Sequence, residues 1–204
     1  MLSRRALPVC RAFLLPADLP ALASGLSMPI GFKNATDGSV QSAVDSCYVA
    51  SCEHHFLSIN LEGNVISAQT AGNPYCHLIL RGSGTGPNYD KASVAQALQG
   101  LSRRQYDSPV AGLVIDAAHG NSGKNDIREA QVVEELAERI GQDEPGIVGV
   151  MMESFLVGGR QDPDALDRLV YGQSVTDACI PWPRTVELLH ALADAVTARR
   201  AGRP

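Results

Sequence analysis

At 204 residues, with 45% hydrophobic side chains and a formal net charge of −5, the chain can bury one sizeable core and needs no division into several domains. Its lysines and arginines are scattered apart from Arg199, Arg200 and Arg203 in the tail, where they suit a helix C-terminus, so a nucleic-acid surface is not expected. No apolar run approaches the roughly 20 residues of a membrane span, and five cysteines (Cys10, Cys47, Cys52, Cys76, Cys179) without a CxxC pair point to reduced, cytoplasmic thiols rather than disulfides or a zinc ribbon.

Residues 1–21 are read as a segment of their own. They carry several arginines and apolar residues, but Arg11, Pro16 and Asp18 interrupt a secretory apolar core, and organelle targeting is the weaker reading. Residues 22–204 are read as one domain. A strand is expected around Met28 to Lys33, followed by a Thr36-Asp37-Gly38 turn in which Asp37 can cap the next helix. Val40, Ala43, Val44, Cys47 and Tyr48 recur at helical spacing, so Ser39 to Ala50 is expected to be an amphipathic helix with Cys47 on its packing face. Phe56 to Asn60 and Val65 to Thr70 flank Leu61-Glu62-Gly63-Asn64 and read as an inserted β-hairpin.

Cys76 to Arg81 is a continuous apolar run ending in Arg81, and Gly82, Gly84 and Gly86 follow it. A glycine-rich loop beside an arginine suits phosphate, although glycines alone say little. A helix over Ser93 to Arg103, a strand over Gly112 to Asp116, a helix over Asp126 to Ile140, a strand over Ile147 to Met152 and a final helix over Thr185 to Arg199 complete the pattern. Glu134, Glu135 and Glu138 are read as a solvated helix face. Strands alternating with helices predict an α/β fold with a parallel sheet and right-handed crossovers.

The stretch from Leu113 to Lys124, LVIDAAHGNSGK, is an apolar strand that runs into His119 and a polar loop, as at the C-terminal mouth of a parallel strand. GIVGVMME delivers Glu153 in the same way, and YGQSVTDACI presents Asp177 before the last helix. One imidazole and two carboxylates at successive strand ends suit a divalent metal. Two plainer readings stay open: His119 satisfied by a neighbouring backbone group, and carboxylates that cap helices.

Five motifs in one order, GFKNATDG (31–38), CHLILRG (76–82), DAAHGNSGK (116–124), GVMMES (149–154) and SVTDACIPW (174–182), resemble the class I 3-deoxy-D-arabino-heptulosonate 7-phosphate synthases, which open the shikimate pathway to aromatic amino acids. The resemblance runs from about Leu22 to the C-terminus. It implies that the strand–helix units are about strands 5 to 8, the C-terminal half of a TIM (β/α)8 barrel carrying the hairpin as an insertion. A full barrel usually needs about 250 residues. The implied reaction condenses phosphoenolpyruvate with erythrose 4-phosphate and water, at a divalent ion (manganese, iron, cobalt or zinc). By motif match His119, Glu153 and Asp177 are implied as metal ligands. Lys33, Arg81 and His119 are implied as contacts to phosphoenolpyruvate, with Lys33 and His119 in catalysis. Leu22, Leu26, Ser27, Phe56 and Ser58 match the wall of the family's feedback site for an aromatic amino acid, against the plainer reading of a hairpin packed on a helix.

The chain lacks the family's GPCS-type motif with its cysteine ligand, its KPRT-type motif and its GAR-type motif, and Cys10 in LPVCRA matches none of them. Turnover by the isolated chain is therefore expected to be low. The open edges and uncovered apolar interior of a half-barrel predict a homo-oligomer or pairing with a complementary half. The alternative is a non-catalytic half-barrel that serves as an interaction module; a metal hydrolase built on the same three side chains is remote, because no nucleophile motif accompanies them.

Overall fold

The computed structural model describes residues 11–13, 19–104, 106, 108–110, 112–164 and 168–202. Cys10, Arg203 and most of the segment read apart at residues 1–21 lie outside them. The element order is β1 (Arg11–Phe13), α1 (Leu19–Ser24), β2 (Ile30–Lys33), α2 (Gln41–Ser51), β3 (His54–Ile59), β4 (Val65–Thr70), β5 (His77–Leu80), α3 (Lys91–Arg103), β6 (Leu113–Asp116), α4 (His119–Ser122), α5 (Asp126–Gly141), β7 (Ile147–Met151), β8 (Ser154–Phe155), β9 (Val157–Arg160), β10 (Gln173–Ser174), β11 (Ile180–Pro181) and α6 (Trp182–Ala201).

A five-stranded sheet runs in the order β1-β2-β5-β6-β7, and every pairing in it is parallel. The polar connection after β7 adds two further parallel pairs, β8 with β11 and β9 with β10. The expected hairpin forms as the antiparallel pair β3–β4, with Ile59 opposite Val65. Within the five-stranded sheet one strand was not expected: β1, from the segment read as separate, pairs along β2 with Ala12 opposite Gly31.

The parallel strands read as apolar runs because both of their faces are covered. Alternation puts Ile30 and Phe32, Leu78 and Leu80, and Leu113 and Ile115 on one face. There they join Ala43, Val44 and Cys47 of α2, Val94 and Ala97 of α3, and Val133 and Leu136 of α5 in the main core. Full burial of each large apolar side chain contributes about 1.5–3 kcal/mol. The opposite face carries Gly31, Lys33, His77, Ile79, Val114 and Asp116, in register across the strands. This face was expected to be an uncovered apolar interior, yet Lys33, His77, Ile79 and Asp116 are all buried. A Cβ on Gly31 would lie 2.3 Å from Ile79 Cδ1 and 2.9 Å from His77 Nε2, so these two side chains fold over the glycine and fill the space themselves. Large exposed apolar side chains stand instead on the hairpin, where Leu57, Ile59 and Val65 are 79%, 69% and 71% exposed, and on the stretch from Phe155 to Val175.

Helix boundaries follow their caps. Asp90 accepts from the N–H groups of Ala92 and Ser93, which starts α3 two residues before the expected Ser93. Asn125 accepts from the Arg128 N–H at 2.8 Å and starts α5. Asp37 does not cap α2. Its Oδ1 accepts from the Ser39 N–H at 2.8 Å, a local Asx turn that ends before the helix begins. Glu134 and Glu135 stay exposed as expected, but they pair with Arg184 and Arg128. No helix among the described residues is long and apolar enough to cross a membrane.

Candidate metal and anion site

All strands of a parallel sheet end at one edge, so each strand can hand one functional side chain to a common mouth. Lys33 is the last residue of β2, Arg81 follows β5, Asp116 ends β6 with His119 three residues on, Glu153 follows β7, and Asp177 precedes β11. These ends converge. Candidate ligand atoms of His119, Glu153 and Asp177 all lie within 4.8 Å of one another, with His119 Nε2 3.5 Å from Glu153 Oε1. Arg81 and His119 share a cavity of about 380 Å³ with Thr36, Gly82, Ser83, Gly84, Gly120, Gly123 and Lys124. Among the described residues the Arg81 guanidinium has no acidic partner, whereas Lys124 Nζ lies 3.0 Å from Asp177 Oδ1.

The cavity is built by a close approach of two backbones. Gly120 donates its N–H to the Arg81 carbonyl at 3.0 Å, and a Cβ on Gly120 would sit 2.3 Å from the Ser83 nitrogen. Gly82, at φ +70°, would meet the Gly120 carbonyl carbon at 2.4 Å. Three asparagines stitch the same mouth together. Asn34 Oδ1 accepts the Arg81 N–H and its Nδ2 donates to the Gly82 carbonyl. Asn88 Oδ1 accepts the Gly82 N–H, and Asn121 Oδ1 accepts the Asn88 N–H. Asn121 Nδ2 in turn donates to the carbonyls of Leu80 and Asp116. The polar loop expected after His119 is therefore a helical turn, held by these bonds.

His119 adopts φ +52°, the left-handed region that a β-carbon disfavours. Such strain costs of order 1–3 kcal/mol and persists only where its surroundings hold it; here the His119 carbonyl accepts the Lys124 N–H at 2.8 Å. The outcome is an imidazole turned back between Asp116 and Glu153.

Asp116 is the residue that sequence reading passed over. Its side chain is fully buried, with Lys33 Nζ 2.5 Å and His119 Nδ1 2.9 Å from the same Oδ2. The His119 contact is an ion-pair distance without a well-directed hydrogen bond. Burial alone would raise the Asp116 pKa, but the contacts from His119 and Lys33 outweigh it and hold the carboxyl below its usual range. The signal was available: an acid that closes an apolar parallel strand lies at a buried position and needs a cationic partner. Glu153 is held above the usual carboxylate range by burial and by the negative charges of Asp177 and Asp116, against the opposing pull of His119 and Lys33. A cluster of carboxylates under mutual repulsion, joined by one imidazole nitrogen, is a donor set that fits a divalent cation.

Behind Glu153, Glu129 of α5 is buried and accepts the Glu153 N–H at 2.6 Å. Burial, with the nearby charges of Glu153, Asp116 and Asp126, pushes its pKa up to about 8, despite that hydrogen bond. A raised carboxyl binds its proton more tightly in the folded state, so its contribution to stability is full below about pH 4 and is lost as pH rises through about 8. In chelator, the wild type is expected to lose about 1–3 kcal/mol between pH 6 and 9 that Glu129→Gln does not lose. Urea melts of both proteins at the two pH values measure this, and parallel losses would contradict it.

The residues matched to a feedback site lie elsewhere. Leu22, Leu26 and Ser27 are exposed in and after α1, while Phe56 and Ser58 are half-buried on β3. Both elements precede a strand of the sheet, β2 or β5, so they sit at its N-terminal end, away from the mouth. The Ser24 and Thr70 hydroxyls, 2.6 Å apart, and Asn73 Nδ2, which donates to the Ala23 and Met28 carbonyls, join α1 to the hairpin and the chain after it.

Residues 16–190 match the model of the DAHP synthetase I family. A phospho-2-dehydro-3-deoxyheptonate aldolase of Corynebacterium glutamicum is 49% identical over 187 residues, covering 88% of this chain and 50% of that protein. The Phe-sensitive aldolase of Escherichia coli K12 is 44% identical over 179 residues, covering 88% and 50%. The solved aldolase of Francisella tularensis SCHU S4 superposes with a TM-score of 0.82 at 43% identity, over 89% of this chain and 52% of that one. The chain thus spans about half the length of the curated relatives it matches. With its matched residues covering the parallel sheet from β2 to β7 and the converging mouth, the chain belongs to the DAHP synthetase I family.

Proposed function

We propose that the chain carries the metal and phosphoenolpyruvate half of a 3-deoxy-D-arabino-heptulosonate 7-phosphate synthase. The reaction joins phosphoenolpyruvate, erythrose 4-phosphate and water, and releases the heptulosonate phosphate and inorganic phosphate. The observation that carries this reading is the convergence of Lys33, Arg81, His119, Glu153 and Asp177 on one mouth. His119, Glu153 and Asp177 would hold the divalent ion, with manganese, iron, cobalt and zinc all compatible with nitrogen and oxygen donors. When bound, the ion supplies Lewis acidity to an aldehyde oxygen and orients water. Arg81 offers a planar guanidinium to phosphate or carboxylate, and Lys33 a point charge. The resemblance also implies a part for His119 in catalysis, beside phosphoenolpyruvate.

On the same reading, the four strands β2, β5, β6 and β7 with their helices are the second half of a barrel, about strands 5 to 8, and act in the cytoplasm with a complementary half or a second copy. The exposed Leu57, Ile59 and Val65 suit such association, and they equally suit the alternative, a half-barrel kept for interaction alone. The Phe-sensitive relative supports an aromatic amino acid as inhibitor, bound between α1 and the hairpin.

The test is phosphoenolpyruvate loss with both substrates and Mn²⁺, for the chain alone and mixed with the N-terminal half of the Corynebacterium relative. Turnover is expected to be low alone, to rise at least about 100-fold in the mixture as the missing electrostatic groups return, and to vanish on His119→Ala. A mixture that associates tightly, binds Mn²⁺ and remains inert would favour the interaction module.

A further inference from the structure

We propose that Asp116 is a positioning residue. It holds the proton of the His119 imidazole on Nδ1, which leaves Nε2 bare toward Glu153 and Asp177, and it anchors the Lys33 ammonium at the same mouth. The metal reading above enters only in what Nε2 would meet; the tautomer follows from the arrangement of side chains.

The Asp116 carboxylate cannot swing away. Oδ1 accepts the Ala118 N–H at 3.0 Å, Oδ2 accepts from Lys33 Nζ at 2.5 Å, and the Asp116 carbonyl accepts from Asn121 Nδ2 at 2.7 Å. Its side chain has no solvent exposure, so water does not screen it. His119 Nδ1 lies 2.9 Å from Oδ2. At that separation a bare nitrogen lone pair beside a carboxylate oxygen is repelled, whereas an N–H is attracted through its charge although the contact is not aligned as a hydrogen bond. The rival is Glu153, whose Oε1 is 3.5 Å from Nε2 and whose side chain is 31% exposed. A longer distance and a wetter carboxylate both weaken that pull, so a single proton goes to Nδ1. Nε2 then presents its lone pair into the gap between the acids, the arrangement in which a histidine ligand donates its other N–H to a carboxylate. One oxygen, Oδ2, serves both Lys33 and His119, so the anion-binding and metal-binding arms of the mouth are set by the same buried group. A purely structural Asp116, tying β6 to β2 through Lys33, would not require any tautomer.

The test uses the full chain labelled with ¹⁵N-histidine, in chelator, at a pH where the imidazole holds one proton, with His119→Ala to assign the signals. Long-range ¹H–¹⁵N spectra of the wild type are expected to show Nδ1 protonated and Nε2 bare. The preference is expected to be lost in Asp116→Ala, and in Lys33→Met/Asp116→Ala, which removes the stranded ammonium should the single variant fail to fold. Lys33→Met alone is expected to keep it. Co²⁺ affinity, read from its visible absorption, should fall about 10- to 100-fold in the double variant relative to Lys33→Met. A wild type with its proton on Nε2 overturns the proposal without any variant. So does a tautomer that the double variant leaves unchanged or, where the wild type takes up Co²⁺, an affinity that it leaves unchanged. A tautomer that depends on Asp116 in a wild type that takes up no Co²⁺ upholds the positioning role and removes the metal reading instead.

Discussion

Replacing His119 with alanine is expected to weaken Mn²⁺ binding by the full chain at least about 100-fold, a larger loss than that assigned to outer groups around a metal. The substitution removes the only nitrogen of the three-residue cluster. What remains is Glu153 and Asp177, two carboxylates set apart by burial and mutual repulsion, with Asp177 already engaged by Lys124. Glu153→Gln and Asp177→Asn should each cost about 10- to 100-fold, since a neutral amide oxygen keeps the shape and loses the charge. Glu134→Gln is the control, because Glu134 is exposed and pairs with Arg184 away from the mouth. Calorimetric titration of the wild type and the four variants measures the series. An His119→Ala affinity equal to that of the wild type would place the ion at other residues.

Gly120→Val is expected to destabilise the chain by about 2–3 kcal/mol or prevent its folding, as overpacking against fixed backbone does. The added Cβ meets the Ser83 nitrogen at 2.3 Å and the Gly82 carbonyl carbon at 2.7 Å. Neither is the end of a flexible side chain, so relief requires the two loops to part and the Gly120-to-Arg81 hydrogen bond to break. Gly84→Ala in the same loop is the control, with nothing within 4 Å of its Cβ and no left-handed φ. For a chain of this size the loss corresponds to roughly 4–12 °C in Tm, and thermal melts of the soluble proteins read it directly. A Gly120→Val protein that melts with the wild type would show that the cradle is looser than described.

The parallel sheet was legible in the sequence because its strands are short apolar runs closed by chemistry: Lys33, Arg81 and His119 stand where periodicity breaks off. The hairpin was legible from its alternation and its central Gly63. Less so was β1, whose three residues carry no pattern of their own and become a strand only beside β2. The short strands between Ser154 and Pro181 were missed for the same reason: two-residue pairings leave no period to detect. At the site, the five expected side chains end at one mouth, but the residues that hold them did not announce themselves. Asn34, Asn88 and Asn121 look like turn residues and prove to be the stitching. Asp116 looks like the end of a strand and proves to be the carboxylate between Lys33 and His119. Glu129 sits on a helix whose other glutamates face water, and only the packing of α5 behind Glu153 shows that it is buried. Sequence spacing gives the strand ends; which polar group is buried against which is decided by register and loop closure across the fold.

The most direct measurement is anomalous diffraction from crystals of the chain grown with Mn²⁺. A single strong peak is expected at the mouth, about 2.0–2.3 Å from His119 Nε2 and from one carboxylate oxygen each of Glu153 and Asp177, with Asp116 still against Nδ1. A Mn²⁺ peak elsewhere, or a mouth in which these three side chains turn away from one another and leave no shared ion, would contradict it.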